Sequence, residues 1–546
     1  MRLPTVRPPE PYWLAAAALF ALVPSVAAQG HQHDHDAAQL GRVVFPVSCA
    51  PAARPRFEHA MAVLHSFWWE EGRNAFGAVL AADSTCAMAY WGLALNAWGN
   101  PFAGGPSGPA LAAGADAAAR AASLPARTRR ERGFIAAVGA LYRDGASTPN
   151  AVRLQAYADT MASLYRAFPR DVEIAIYHAL AQLATAPRTD TTFAQQRRAI
   201  AILEPLFARY PDHPGLAHYV IHATDTPRLA HLGLRAARRY AQIAPAAPHA
   251  QHMPSHIFVR LGLWDETVAA NWRSYRAGAE YARAAGLTGA PEELHALDYA
   301  VYGYLQRGQD SAARAAVAVG ERVIASNPGG LVASYNGTAM AARIPLERGD
   351  WAAAAAFPLP PDSLAPIASA LARFTRAVGS ARSGRAEQAR AEVGALDAIG
   401  KALEAKGEPY WSRVVLIKRD AADAWARLAE GDTARALALA KAAADTEEVT
   451  DKHQVTPGEL LPARELEGDM LIATGHPSEA RVAYRMTLAR EPGRARSTFG
   501  AARAAELAGD RGAAAAGYRE FLRLMAEADP GRGEVAIARS FGGGRE

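Results

Sequence analysis

At 546 residues, half of them hydrophobic, the chain exceeds what a single hydrophobic core usually supports, so several domains or an extended array are expected. A net charge of +5, with no run of five lysines or arginines, excludes the electrostatic footprint of a nucleic-acid or anionic-membrane binder. Alanine-rich stretches such as 113–123 and 350–357 favour helices that approach closely, which points to an all-α protein.

Residues 1–28 have the layout of an export signal. Arg2 and Arg7 form a basic start, Trp13–Val23 a short apolar run, and Val26-Ala27-Ala28 a small-residue cleavage site, with the cut expected after Ala28. The apolar run is too short to span a bilayer. No later segment reads as a transmembrane helix, so a periplasmic or secreted mature protein is expected. Residues 29–41 (QGHQHDHDAAQLG) read as a polar, disordered His/Asp tail.

The only cysteines, Cys49 and Cys86, both fall in the first mature repeat. In an oxidising compartment such a pair is expected to form a disulfide, and no close-spaced partners for a thiolate metal site exist. Residues 67–99 read as the second helix of one unit, a short turn, and the first helix of the next. Trp68, Trp69, Trp91 and Trp98 there are expected to pack these first units. A Gly/Pro-rich loop follows at 100–109 (NPFAGGPSGP).

Turn-like Gly-Asp or similar pairs recur at Gly308-Gln309, Gly349-Asp350, Gly384-Arg385 and Gly431-Asp432, at uneven spacings that indicate degenerate repeats. PLPPDSLAP at 358–366 cannot be helical throughout and marks a break between an N-terminal array (42–357) and a C-terminal array (367–546). The clearest repeat lies last. Gly475, Ala480, Tyr484 and Leu488 are each followed 34 residues later by the same residue, namely Gly509, Ala514, Tyr518 and Leu522. Thirty-four residues is the tetratricopeptide period, a helix–turn–helix unit that stacks into a right-handed α-solenoid.

The segments FPVSC, HSFWWEE, CAMAYWGLAL, GNPF, ILEPLF, HPGLAHYVIHATD, HMPSHIFVRLG and LHALDYAVYGYLQ cover most of residues 43–310. LPARELEGDML (461–471) extends the set into the C-terminal half. Together they resemble a group of exported bacterial tetratricopeptide repeat proteins. The resemblance implies a repeat fold and export. The group is named for its repeats and not for an activity, so no reaction follows from it.

The histidines carry the best lead to function. His218 and His252 are 34 residues apart, and so are His222 and His256. On helices, His218, His222 and Asp225 fall on one face at i, i+4 and i+7, as do His249, His252 and His256 at i, i+3 and i+7. Pro254 should kink the second of these helices. His295, with Asp298 three residues on, continues the stripe on the next unit, and His178 precedes it. If first helices line one concave groove, these side chains bridge neighbouring helices about 8–10 Å apart. His218, His222, Asp225, His249, His252, His256 and His295 are thus candidate ligands for a transition metal such as zinc or copper. Structural packing and metal-free acid–base chemistry are the other readings open at this point.

Other histidines are poorer candidates. His31, His33 and His35 sit in the tail, and His59 and His65 fall on different faces of one helix. No H-E-x-x-H, G-x-S-x-G or P-loop occurs. Two functions are therefore expected. One is an exported scaffold that holds a protein or peptide partner in its concave groove, with a His-ligated metal. The other is a metal-dependent enzyme, a hydrolase or a copper redox protein, built on the same histidines.

Overall fold

The computed structural model describes residues 39–126, 128–287, 291–326, 330–361 and 364–543. Among them there is no strand, and the protein is all-α. The export signal and most of the His/Asp tail lie outside the described residues.

Each helix packs against the next, and several alternate helices touch as well. Val172–Ala184 meets Pro214–Thr224, Pro291–Gln306 meets Gly330–Arg348, Gly330–Arg348 meets Pro366–Arg382, and Pro366–Arg382 meets Pro409–Ala429. Contact between one first helix and the next is what stacking of two-helix units requires. The repeat glycines stand where the chain reverses: Gly308, Gly349, Gly384, Gly431, Gly475 and Gly509 all have φ between +65° and +89°. Only glycine takes that backbone without strain.

The 34-residue period is visible in the packing of the last units. Pro477–Arg490 and Arg511–Leu524 are equivalent second helices. The buried ring of Tyr484 lies against Gly468 and Gly500 on the flanking first helices, where added Cβ atoms would fall 2.9 and 2.4 Å from it. Small residues at these points let the helices close around the tyrosine.

The first described residues are packed against the fold. Leu40 is buried, the backbone N–H of Arg42 donates to the carbonyl of Asp212 at 2.9 Å, and the disordered tail expected over 29–41 has therefore ended by residue 39. Phe45 packs among Phe57, Trp91 and Phe134, and Cys49 is bonded to Cys86. Trp68, Trp91 and Trp98 are buried in this same core.

Within the break expected at 358–366, residues 358–361 and 364–365 are not helical and Pro366 opens the next helix, but the break does not separate two cores. One cluster of buried residues runs from Tyr335 and Leu346 through Phe357 and Ile367 to Met470. Nor do the arrays end apart. Trp264 Nε1 donates to Gly493 O at 2.8 Å, and buried Arg494 binds Glu465 and donates to Tyr302 Oη at 2.8 Å. The C-terminal units thus close against the middle of the chain.

A second departure concerns the face formed by the first helices. The non-helical segment between Thr433–Glu448 and Ala463–Ala473 runs across it. Val455 O accepts from His295 Nδ1 at 3.1 Å and Asn336 Nδ2 at 2.8 Å. Arg343 donates to the carbonyls of Gly458 and Glu459, and Tyr410 donates to Asp451 O at 3.0 Å. Over Pro291–Gln306, Gly330–Arg348 and the start of Pro409–Ala429, the face expected to hold a partner peptide is occupied by the protein's own chain.

Candidate metal centre

The histidines sit on two short helical stretches whose limits follow from the sequence. Pro214 occupies the first turn of Pro214–Thr224, His213 caps it by accepting from Leu216 N, and Asp225 follows as the C-cap. Pro254 splits the next stretch into Pro248–His252 and Pro254–Leu261, as its missing N–H predicts. Gly262, in the left-handed region, ends it.

The in-phase pairs converge, but not as one four-histidine site. Donor atoms of His218, His222 and His249 lie within 4.8 Å of one another, and so do those of His252, His256 and His295. Each triad combines two histidines of one helical face with one from a neighbouring stretch. Ring centroids of His222 and His256 are 6.4 Å apart, and those of His249 and His252 are 6.1 Å apart, so the triads are adjacent. They are also internal: His218, His222, His252 and His256 are buried instead of facing an open groove.

Asp225 does not join either triad. Its carboxylate accepts from His256 Nδ1 at 2.9 Å and from Arg260 Nε at 2.9 Å, with Lys452 Nζ 3.9 Å away. Lys452, Arg260 and the His256 hydrogen bond outweigh burial and hold its carboxyl far below the usual range, so it is an acceptor only. Asp225 orients His256 from behind. Asp298, also on the expected stripe, is spent on Arg343 and Asn336. His178 lies apart, 3.0 Å from Gln182 and stacked on Tyr165.

Hydrogen bonds at Nδ1 settle where the imidazole protons are. His218 Nδ1 lies 2.7 Å from the carbonyl of His65, and His295 Nδ1 donates to Val455 O. His252 Nδ1 lies 2.6 Å from Asn271 Oδ1, and that amide is oriented because its Nδ2 donates to Thr267 O at 2.7 Å. With His256 bound to Asp225, four of the six rings have Nδ1–H donating to an oxygen, which leaves Nε2 as a bare lone pair. These lone pairs point at each other: His252 Nε2 is 2.9 Å from His256 Nε2. His218 Nε2 is 3.0 Å from His222 Nε2 and 3.2 Å from His249 Nε2.

Between His252 and His256 a shared proton would require an imidazolium, whereas a neutral His222 or His249 can donate Nε2–H to His218. Burial first, and then neighbouring histidines, push His218, His222, His249, His252 and His295 well below their ordinary pKa. Burial also lowers His256, against the opposing pull of Asp225. At His252 and His256, neutral rings with facing lone pairs are what a cation would bring together. Two nitrogens at about 2.0–2.1 Å from one ion, with angles of about 90–109°, are roughly 2.8–3.4 Å apart.

A third cluster behaves otherwise and escaped sequence reasoning. His65 Nε2 and His213 Nε2 each lie 3.0 Å from one oxygen of buried Glu173, and His65 Nδ1 is 3.1 Å from Tyr219 Oη. His213 Nδ1 accepts from Leu216 N, so its proton is on Nε2 and points at the carboxylate. Every polar atom in this cluster has a partner of opposite character, and it is a closed network that ties three helices together. His213 and Glu173 carry no spacing signal that links them to His65, more than a hundred residues away.

No protein-family model matches the chain, and no curated protein matches it. Among solved structures it is similar to an IFIT1 monomeric mutant with Gppp-AAAA, at 12% identity over 76% of this chain and 85% of that one, with a TM-score of 0.32. It is similar to yeast Tom70 at 8% identity over 90% and 95% of the two chains, with a TM-score of 0.25. For the TPR domain of P58(IPK) the values are 12%, 76%, 98% and 0.21. Overlaps this loose bear on neither ligand nor reaction, and the fold assignment rests on the helix packing described above.

Proposed function

We propose that this protein is a transition-metal protein whose N-terminal array holds two adjacent three-imidazole sites, His218/His222/His249 and His252/His256/His295. The observation that carries this reading is the His252–His256 contact. Two Nε2 atoms at 2.9 Å, each on a ring whose Nδ1 is already the donor, have no proton to share. A metal ion supplies the missing attraction, and the oxygens behind the rings act as the outer partners that orient metal-binding histidines. Neutral nitrogen ligands without thiolates suit zinc or copper. Three protein ligands per ion leave a position open, which supports hydrolysis by a metal-bound water or redox chemistry at copper.

Elemental analysis of untagged protein tests the reading. About two equivalents of one transition metal are expected, given three nitrogens per ion. Less than about a tenth of an equivalent, even after reconstitution with zinc and with copper, rejects it.

The protein is further read as exported, with the signal cut after Ala28. The Cys49–Cys86 disulfide supports an oxidising compartment. No described helix is long and apolar enough to cross a membrane. N-terminal sequencing of the mature protein checks the cut site.

A protein or peptide partner is the second reading, favoured by the repeat architecture. Because residues 449–462 occupy part of the face of the first helices, we place the partner in the open cleft of about 810 Å³ lined by Arg238, Gln242, Arg273, Arg276 and Glu280. Charge reversal at Arg273 and Arg276 should abolish a crosslink to any such partner while leaving metal content unchanged.

A further inference from the structure

A cavity of about 420 Å³ opens beside the first triad, and His222 is part of its wall. It is assembled from parts distant in sequence: the loop 100–104, the turn after Val172–Ala184, the start of Pro409–Ala429, and residues 451–454 of the internal segment. We infer that this cavity is the substrate pocket of the metal centre and that it takes an aromatic carboxylate. The inference rests on the metal reading above and adds the ligand class.

The aromatic half of the argument is the wall. Phe102 lies against the His222 ring with centroids 4.5 Å apart, so one face of a metal-site imidazole is covered by a side chain of the cavity. Trp411 also lines the cavity and packs on His453 at 4.9 Å and on Tyr410 at 5.2 Å. With Phe102, Tyr410, Trp411 and His453 in its lining, the cavity offers ring faces and edges to a flat ring, and offset and edge-on aromatic contacts add to simple burial. The volume falls within the range of small-molecule sites.

The anionic half is Arg188. Its guanidinium lies over the Tyr410 ring at 4.9 Å and donates one bond to the Phe102 carbonyl at 3.3 Å. Among the described residues no carboxylate lies within ion-pair distance of it. The carboxylates of the wall are committed elsewhere. Asp225 is held by His256 and Arg260, Asp451 by Arg260 and its own turn, and Asp190 by Thr192 and the backbone N–H of Ala194. A guanidinium already stacked on one ring, with donors to spare, is preorganised for a carboxylate carried by a second ring. Such a ligand would keep its ring near His222 and its charge at Arg188.

Calorimetric titration of the metal-loaded protein with benzoate, acetate and phenol tests the inference, and metal content is measured on the same sample. Benzoate should bind at least about tenfold more tightly than acetate, since only it fills the aromatic-lined cavity. Arg188→Gln should weaken benzoate at least about tenfold and leave phenol unchanged, because a charged hydrogen bond is lost. Arg188→Lys should recover part of that loss, and circular dichroism should be unaltered in both variants. With metal present, benzoate binding no better than acetate, or indifferent to Arg188→Gln, overturns the pocket assignment and leaves the metal centre standing. Benzoate bound by a protein that holds no metal overturns the metal reading, and with it the claim that this is the centre's substrate pocket.

Discussion

His252 and His256 face each other through Nε2 atoms 2.9 Å apart, while Asn271 and Asp225 hold the protons of both rings on the far side. This arrangement makes separate demands on the ligand and on the residue behind it. His256→Ala should remove one of about two bound ions, since it takes one of three nitrogens from the second triad only. Asp225→Asn keeps all six imidazoles and should retain both ions with affinity lowered about 10–100-fold at one of them. Metal titration of the apoprotein, followed by elemental analysis, separates the two outcomes. Equal stoichiometry and affinity in wild type and His256→Ala would remove His256 from the site.

The internal segment 449–462 depends on Arg343. That guanidinium is fully buried, pairs with Asp298 at 2.9 Å and donates to Thr456, Gly458 and Glu459. Arg343→Met leaves Asp298 buried without its charge partner, which costs about 3–5 kcal/mol. Limited proteolysis should then cleave within 449–462 well before any other described loop. Unchanged protection there would mean that Val455, Leu460 and Leu461 alone hold the segment by burial.

These two cases show what could be read from the chain and what could not. The 34-residue spacing of His218 with His252, and of His222 with His256, placed the four rings on neighbouring elements, because phase within a repeat is a local property. Tyr484 and Tyr518 disclosed the repeat for the same reason. The division into two triads was hidden, since it depends on how His249 and His295 lean across helix boundaries. So was the role of Asp225, which shares the expected stripe but is claimed by Arg260 and His256. Val455, His65 and Asn271 supply acceptors to the rings from 160, 153 and 19 residues away. No pattern in a single sequence marks a backbone carbonyl as a histidine's partner.

Glu173 offers a control on the metal reading. It joins His65 and His213 in a buried cluster with the composition of a metal site but with every partner satisfied. His65, His213 and the hydrogen bonds from both hold its carboxyl well below the ordinary range despite burial. Glu173→Gln should therefore leave metal stoichiometry unchanged while lowering stability by about 1–3 kcal/mol, as buried polar atoms lose a charged partner. Loss of a bound ion in this variant would show that the third cluster ligates metal.

The Cys49–Cys86 bond closes a loop of 37 residues around the first units. In the loop-entropy model that closure contributes about 3–4 kcal/mol. The Cys49→Ser/Cys86→Ser double variant should unfold its N-terminal array at lower temperature, and reductant should shift the wild type to match. The units that share the core from Tyr335 to Met470, which does not include the disulfide, should keep their transition. A scan that follows Trp91 burial and helicity separately checks both parts.

His453 sets a pH dependence of definite sign. It is half-buried against Trp411, its Nδ1 accepts from Val455 N at 3.1 Å, and burial with Arg188 and Lys452 nearby pushes its pKa down to about 3. In the unfolded chain the value returns to about 6.5, so below that pH the unfolded state binds the proton first. Stability from this residue is fully present above pH 6.5 and is lost as pH falls from 6.5 toward 3, by at most about 1.4 kcal/mol per pH unit. His453→Gln removes the titration and should flatten the fall in stability between pH 6.5 and 4.5, measured by denaturant unfolding of metal-free protein. An identical slope in the variant would show that His453 takes up its proton in the folded state without cost.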